Sequence, residues 1–283
     1  MLVSIGLPVY NCEKTVLGTI NSIISQTYEN WELIIVDDGS SDTSLDVINS
    51  IKDARIKVYS DGENKGLPYR LNQIAELAKG EYIARMDSDD LMHPERIAVQ
   101  VKYLQENPNV DLIGSGAYII NEQEKVLGQR RKKDFKINPA EVLAKGLFIH
   151  PTVFGKTEWF RRNLYSEAYI RAEDHEMWVR TVKNSNFHIL EAPLLFYRES
   201  AQVNLKNYKL SCKTDRKIFK KYGPDLVGRR KTNKLIISSY CKELIYTICC
   251  YMNKGHLLTK NRNVPLSPKE QERANGILEK IFA

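Results

Sequence analysis

Short apolar runs alternate with helical periodicity through the first hundred residues. Val3–Leu7, Leu33–Val36, Ile56–Tyr59 and Tyr82–Met86 predict four strands, the last with Arg85 inside it. Val16, Ile20, Ile23 and Ile24 recur at helical spacing after the first run. Leu45 and Ile48 do so after Ser41-Asp42, and Leu71, Ile74, Ala75 and Ala78 after Pro68. Strands alternating with helices predict a parallel sheet covered on both faces. Such sheets bind ligands at the carboxyl ends of their strands. The residues there are Pro8-Val9-Tyr10-Asn11, then Asp37 to Asp42, then Asp61 to Asn64, then Asp87-Ser88-Asp89-Asp90. Three of the four strands therefore run into acids. Carboxylates gathered at one edge repel one another unless a cation or hydrogen-bond donors lie among them.

The second hundred residues are less regular. Pro94–Glu106 predicts a helix, and Asp111–Ile120 predicts strands broken by Gly114-Ser115-Gly116. Phe148–Phe154 predicts a strand containing His150-Pro151, and Ala172–Val182 a helix opening on Glu173-Asp174. Arg130-Arg131-Lys132-Lys133 reads as a solvated loop. From Leu205 onward three helices are expected, roughly 205–221, 231–252 and 267–282, separated by Gly223-Pro224 and Val264-Pro265. The expected organisation is an α/β catalytic domain over residues 1–200, in halves 1–92 and 93–200, and a basic helical region over 201–283.

Charge sharpens that division. From Ala201 onward 18 Lys and Arg face 6 Asp and Glu, a balance of +12 that leaves −5 for the first 200 residues. A mildly acidic body with a basic tail argues against nucleic-acid binding and suits a body held at an anionic surface. Five cysteines without metal-ligand spacing, behind no leader, suit a reduced, cytoplasmic protein. The nearest approach to a membrane span, Leu235–Met252, is interrupted by Ser238, Ser239, Lys242 and Glu243. Its Ile237, Cys241, Leu244, Ile248 and Tyr251 recur at helical spacing. That face is expected to pack on the body; the alternative, raised by the neighbouring Arg229-Arg230-Lys231, is that it lies on a bilayer or a partner.

The acids carry the candidate chemistry. Asp87 and Asp89, at i and i+2 beyond a buried strand, project into one cleft and suit a hard divalent cation, Mn²⁺ or Mg²⁺, shared with substrate phosphates. In Asp37-Asp38-Gly39-Ser40-Ser41-Asp42, Gly39 makes a turn and Ser41 or Asp42 caps the next helix. Asp37, and with it Asp38, is then available to a base or ribose, while Pro8 and Tyr10 lie where a ring can pack on the base.

Several segments in a fixed order make the pattern specific. They are Pro8-Val9-Tyr10-Asn11, Gln26-Thr27-Tyr28, Glu32 to Asp42, Asn64-Lys65-Gly66-Leu67 and Ala78 to Asp90. Together they resemble the inverting family-2 glycosyltransferases with the GT-A fold, over about Val3 to Arg198. The resemblance implies a Rossmann-like nucleotide-binding half with a mostly parallel sheet, then an acceptor-binding half. It also implies a nucleotide-sugar donor, usually a UDP-sugar, and a divalent metal. On this chain it would give Asp37 the base, Asp87 the ribose and Asp89 the metal, with Asn11, Asn64 and Ser88 in the same donor-binding set. Arg70 would be either a diphosphate contact or an exposed helix charge. Ala172-Glu173-Asp174-His175-Glu176-Met177-Trp178 resembles the family's E-D motif, whose Asp is the catalytic base, here Asp174. The bland reading of the same acids is a favoured helix start. His150 would approach the diphosphate or pack in a strand, and Glu173 and Trp178 would frame the acceptor or sugar or serve the core. The absence of a Q-x-x-R-W stretch, with Tyr197-Arg198 and Gln202 at the end of the match, suits one hexosyl or N-acetylhexosaminyl unit added per encounter.

The expected acceptor is a lipid-linked glycan of O-antigen or capsule synthesis, at the inner face of a bacterial cell membrane. A polyprenyl phosphate or a protein is the alternative. A nucleotidyltransferase would need a glycine-rich basic loop after the first strand, which Pro8-Val9-Tyr10-Asn11-Cys12 does not supply. A sugar-binding scaffold without turnover is the non-enzymatic alternative, and nucleotide-sugar turnover distinguishes it.

Overall fold

The computed structural model describes residues 1–130, 136–199, 204–252 and 262–282. In chain order it begins with β1 (Val3–Val9), α1 (Val16–Ile24), β2 (Trp31–Asp37), α2 (Ser44–Ser50), β3 (Ile56–Ser60) and α3 (Leu67–Leu77). Then come β4 (Tyr82–Arg85), β5 (Leu91–Met92), α4 (Arg96–Glu106), β6 (Leu112–Ile120), β7 (Val126–Arg130) and α5 (Pro139–Lys145). A 3₁₀ turn at His150–Thr152 leads to β8 (Phe154–Lys156), α6 (Thr157–Arg162), α7 (Glu173–Thr181) and β9 (Phe187–Arg198). Helices α8 (Leu205–Val227), α9 (Arg229–Tyr251) and α10 (Pro268–Phe282) follow.

The first four strands are parallel, in the order β3-β2-β1-β4. Helices cover both faces, so β1, β2 and β4 are buried throughout rather than alternating, while the edge strand β3 is only partly buried. On β2, Leu33 and Ile35 join the core that contains Ile20 and Ile97, while Ile34 and Val36 join that of Leu71 and Ile74. The register sets Val9, Asp37 and Ser60 level and places Gly6 opposite Arg85. From β1 the chain passes to β2 on one side and, later, to β4 on the other. The loops after β1 and β4 therefore diverge and open a crevice at the carboxyl edge. Beyond β4 the sheet continues β8-β6-β9-β5 with β7 on β6, so one nine-stranded sheet runs through both expected halves.

Four local expectations are corrected. Gly114 and Gly116 do not break β6: a Cβ on Gly114 would lie 2.4 Å from Phe148 and one on Gly116 2.8 Å from the Glu191 carbonyl. The glycines admit those neighbours, and the register with β9 shifts beside them. Phe148–Phe154 is not one strand. Pro151 has no N–H for a ladder, and the chain turns through His150–Thr152 before β8. Gly223-Pro224 lies inside α8, and the break falls at Gly228, where φ is +80°. Gly223 instead lets α9 approach, since a Cβ there would meet Thr232 Oγ1 at 2.6 Å.

The fourth correction concerns α9. Thr232 and Ser239 are its buried residues and Leu235 and Ile236 pack against the core, but Ile237, Leu244 and Tyr251 are 62%, 61% and 82% exposed. Ile248 and Cys241 are exposed with them or partly so. The periodic apolar face therefore points away from the body. Among the described residues, no helix is long and apolar enough to cross a membrane. The basic run beyond Arg130, and Gln202, lie outside the described residues.

Candidate active site

Loops after β1, β2 and β3 build one wall of the crevice. Asp37, fully buried at the end of β2, accepts hydrogen bonds from Gly39 N (3.2 Å), Ser40 N (3.3 Å) and Ser60 Oγ (3.0 Å). Gly39 makes this turn at φ +71°, and a Cβ on it would lie 2.8 Å from the Glu63 carbonyl carbon. The 61–64 loop thus closes directly over it. Asp38 accepts from Lys65 N (2.7 Å), Gly66 N (3.0 Å) and Arg70 Nε (2.8 Å), which fixes the start of α3. Asn11, at φ +49°, accepts from Ser41 N (2.8 Å) through Oδ1 and ties the loops after β1 and β2 together. Pro8 is buried within β1, whereas the Tyr10 ring beside it is 52% exposed. Asp42 accepts from Ser44 N and Glu13 N, a role confined to the turn.

Arg70 is neither an exposed charge nor a diphosphate contact. It is fully buried, and its guanidinium donates to Asp38, Asp61 (2.6 and 3.0 Å), Gln73 (2.9 Å) and the Glu63 carbonyl (2.5 Å). Those bonds use all five of its N–H groups. It holds the wall in place and leaves nothing for a ligand.

The floor is set by the end of β4. Arg85, buried, makes a bidentate pair with Asp87, Nη1 to Oδ2 at 2.6 Å and Nη2 to Oδ1 at 2.5 Å. Oxygens of Asp87, Asp89 and Asp90 come within 4.8 Å of one another, the single such acidic group among the described residues. Asp90 Oδ1 accepts from Arg198 N (2.8 Å), while its buried Oδ2 has no partner. The Asp89 carboxyl is pushed up to about 6, first by the surrounding protein and then by the Asp87 charge. Three converging carboxylates, one with an orphaned buried oxygen, form an oxygen-only donor set that fits a hard divalent cation. Ser88 contributes its carbonyl to the loop's scaffold, accepting from Thr15 Oγ1 (2.9 Å) and Thr19 Oγ1 (3.0 Å).

The opposite wall comes from α7 and the 3₁₀ turn. Glu173 and Asp174 open α7, and both carboxyls are shifted upward by burial. The Asp174 charge adds to the shift of Glu173, while His175 works against that of Asp174. His150 Nε2 lies 2.9 Å from Tyr165 Oη, and burial followed by the Arg85 charge lowers its pKa, so the ring is neutral. Asn72 holds the Tyr165 backbone at both N and O (2.8 and 2.9 Å).

Between the walls lies a cleft of about 910 Å³, lined by Asn64, Arg85, Asp87, His150, Glu173 and Asp174 among others. Five expected site residues thus meet around one cavity, with Asp89 beside it in the acid loop. Trp178 does not join them. It is wholly buried on the far side of α7, stacked on Trp159 (6.2 Å) with Phe148 edge-on (5.2 Å). It supports the wall from behind. Sequence reasoning missed Arg85 and Arg130, which line the cleft, and Tyr165, which contacts His150 behind it. A charge inside a buried strand run was the available signal for Arg85; Tyr165 had none.

A parallel β3-β2-β1-β4 block with its acid loop at the switch point, facing a second wall built on the same sheet, is the GT-A arrangement of nucleotide-sugar glycosyltransferases. Residues 4–168 match glycosyl transferase family 2, and the chain belongs to that family. An uncharacterized glycosyltransferase of Methanocaldococcus jannaschii is 30% identical over 258 residues, 89% of this chain and 88% of that one. Escherichia coli WfaP, named UDP-Glc:alpha-D-GlcNAc-diphosphoundecaprenol beta-1,3-glucosyltransferase, is 32% identical over 72% of this chain and 80% of its own. Among solved structures, Staphylococcus aureus TarS 1–349 in complex with UDP-GlcNAc superposes with a TM-score of 0.64 at 17% identity, covering 100% of this chain and 81% of that one.

Proposed function

We propose that this glycosyltransferase moves one sugar from a UDP-sugar, with inversion, to a hydroxyl of a lipid-linked glycan in surface-polysaccharide synthesis. The observation that carries the reading is the meeting of the Asp87–Asp90 acids and the Glu173-Asp174 pair across one cleft, with the buried Arg85 at its floor. Tyr10 and the loops that hold Asp37 and Asp38 take the uridine, Asn64 borders the donor, and Asp87 takes the ribose. Asp89, with Asp90 Oδ2 in reach, holds Mn²⁺ or Mg²⁺. When bound, that cation neutralises charge gathering on the diphosphate. Arg85 Nε, buried without a partner like Asp90 Oδ2, is a donor left over for a bound anion.

The acceptor enters from the α7 side. Its hydroxyl gives its proton to Asp174 as its oxygen bonds to the anomeric carbon, and the bond to UDP breaks with the electron pair leaving on the diphosphate. Attack opposite the leaving group inverts the centre and needs no covalent enzyme intermediate. Glu173 and neutral His150 border the sugar. The WfaP name supports a UDP-sugar donor and a diphosphoundecaprenol-linked acceptor here.

Incubation with Mn²⁺, a panel of UDP-sugars and a GlcNAc-diphospho-lipid is expected to release UDP and extend the lipid-linked sugar by one unit. Transfer only to free polyprenyl phosphate or to protein would replace the acceptor, and no turnover with any nucleotide sugar would favour a binding scaffold.

The exposed α9 face, beside Arg229, Arg230 and Lys231, is read as the contact with the inner face of the membrane. Ile237, Leu244 and Ile248 replaced together by Ser are expected to release the protein from anionic vesicles. Each side chain contributes up to about 1.5–3 kcal/mol when buried in lipid, and none supports the fold. Vesicle co-sedimentation unchanged by the triple substitution would remove the membrane from this reading.

A further inference from the structure

Helix α8 lies beyond the sheet in sequence yet touches the helix that carries the proposed base. His175, next to Asp174 in α7, has Nδ1 2.9 Å from Asp215 Oδ1 of α8. Its Nε2 lies 3.1 Å from the carbonyl oxygens of both Val142 and Leu143 in α5. Carboxylate and carbonyl oxygens only accept. A neutral imidazole has a single N–H and would set a lone pair against one of these partners, whereas an imidazolium satisfies both. The Phe219 ring packs edge-on against the imidazole at 6.2 Å.

We infer that His175 and Asp215 are positioning residues that keep a permanent positive charge beside Asp174, so that the C-terminal helical region completes the electrostatics of the active site. The inference rests on Asp174 being the base. Other charges also face this ring. Asp174 lies on its own helix, Asp215 on α8, Lys145 at the end of α5 and Lys242 on α9, with Arg171 in the loop before α7; all line one cavity of about 530 Å³. Burial opposes a proton on His175. Contact with Asp215, together with the Asp174 charge and the Val142 carbonyl, outweighs it and holds the ring above the usual histidine range.

The consequence follows by sign. Burial raises the Asp174 carboxyl and a neighbouring cation lowers it. A base must be ionised to accept a proton, so the imidazolium extends activity toward lower pH. Asp215→Asn keeps an acceptor for Nδ1–H but removes the anion. His175 then falls back toward the usual histidine range, and the Asp174 pKa rises because the lost imidazolium outweighs the lost Asp215 charge.

The test has two readouts on the full chain. Imidazole ¹³C and ¹⁵N shifts should show His175 still doubly protonated above the usual histidine range in the wild type, and titrating lower in Asp215→Asn. The acid limb of the kcat profile should move up by about half to one pH unit, making transfer about three- to tenfold slower on that limb, with the deficit shrinking as pH rises. His175→Gln should shift the limb the same way and at least as far, and adding Asp215→Asn to it should move the limb up no further, since the Asp215 charge acts directly on Asp174 only by raising it. A neutral His175 at pH 7 in the wild type overturns the inference whether or not transfer is observed. So does an acid limb that Asp215→Asn leaves in place. A charged His175 in a protein that turns over no nucleotide sugar would instead count against Asp174 as a base.

Discussion

Asp174→Asn is expected to slow transfer by a factor on the order of 10²–10⁴ while leaving UDP affinity within about a few-fold. The two side chains have nearly the same shape, so the first turn of α7 and its packing should persist. Only the capacity to take the acceptor proton is removed. Asp174 lines the cleft from the α7 wall, apart from the loops after β1, β2 and β3 that form the proposed nucleotide pocket. Single-turnover rates with calorimetric titration of UDP separate the two effects. If UDP binding disappeared with activity, Asp174 would belong to the donor side and the base would have to be sought elsewhere, with Glu173 the next carboxylate in the cleft.

The second large effect concerns the acid loop. Asp89→Ala should reduce UDP binding in Mn²⁺ to the level the wild type shows in a chelator, since the cation loses a ligand that its neighbours cannot replace. Asp87 is already paired with Arg85, and Asp90 Oδ1 with Arg198 N. A pH dependence accompanies it. In the metal-free protein the Asp89 carboxyl is pushed up to about 6, and a cation binds only the ionised form. Metal-supported UDP binding should therefore weaken as pH falls through about 6 in the wild type, whereas that limb should be absent in Asp89→Ala. Titration of UDP with and without Mn²⁺ at several pH values checks both. Retention of metal-dependent binding by the variant would move the ion to Asp90 and Asp87.

The donor half was the more legible in the sequence because its signals are local. A strand such as Leu33–Val36 is apolar within a few residues of a turn glycine and its acids, and the register then brings Asp37 and Ser60 level without further instruction. Features that depend on distant neighbours were not legible. Gly114 and Gly116 look like breaks until Phe148 and the Glu191 carbonyl occupy the space beside them. Arg70 looks like a surface helix charge until Asp38 and Asp61 close on it from two other loops. Trp178 and Glu173 share one short helix, yet only the sheet behind α7 determines which of them faces the core. His175 had no pattern to mark it at all, since both of its partners come from other helices.

The acid loop is held by its backbone as well as by the side chains of Asp87 and Asp90. The carbonyl of Ser88 accepts from Thr15 Oγ1 (2.9 Å) and that of Asp89 from Arg198 Nε (2.8 Å), while the single Thr19 hydroxyl proton is shared between the carbonyls of Asp90 (2.8 Å) and Ser88 (3.0 Å). Three successive peptide units are therefore shaped when the chain folds, and the ordering entropy of about 1–2 kcal/mol per residue is already lost before any ligand arrives. A cation meets a cage that exists in its absence, and its arrival relieves the mutual repulsion of the carboxylates. Ionic strength, rather than the speed of a loop, should then govern how quickly the empty enzyme is loaded.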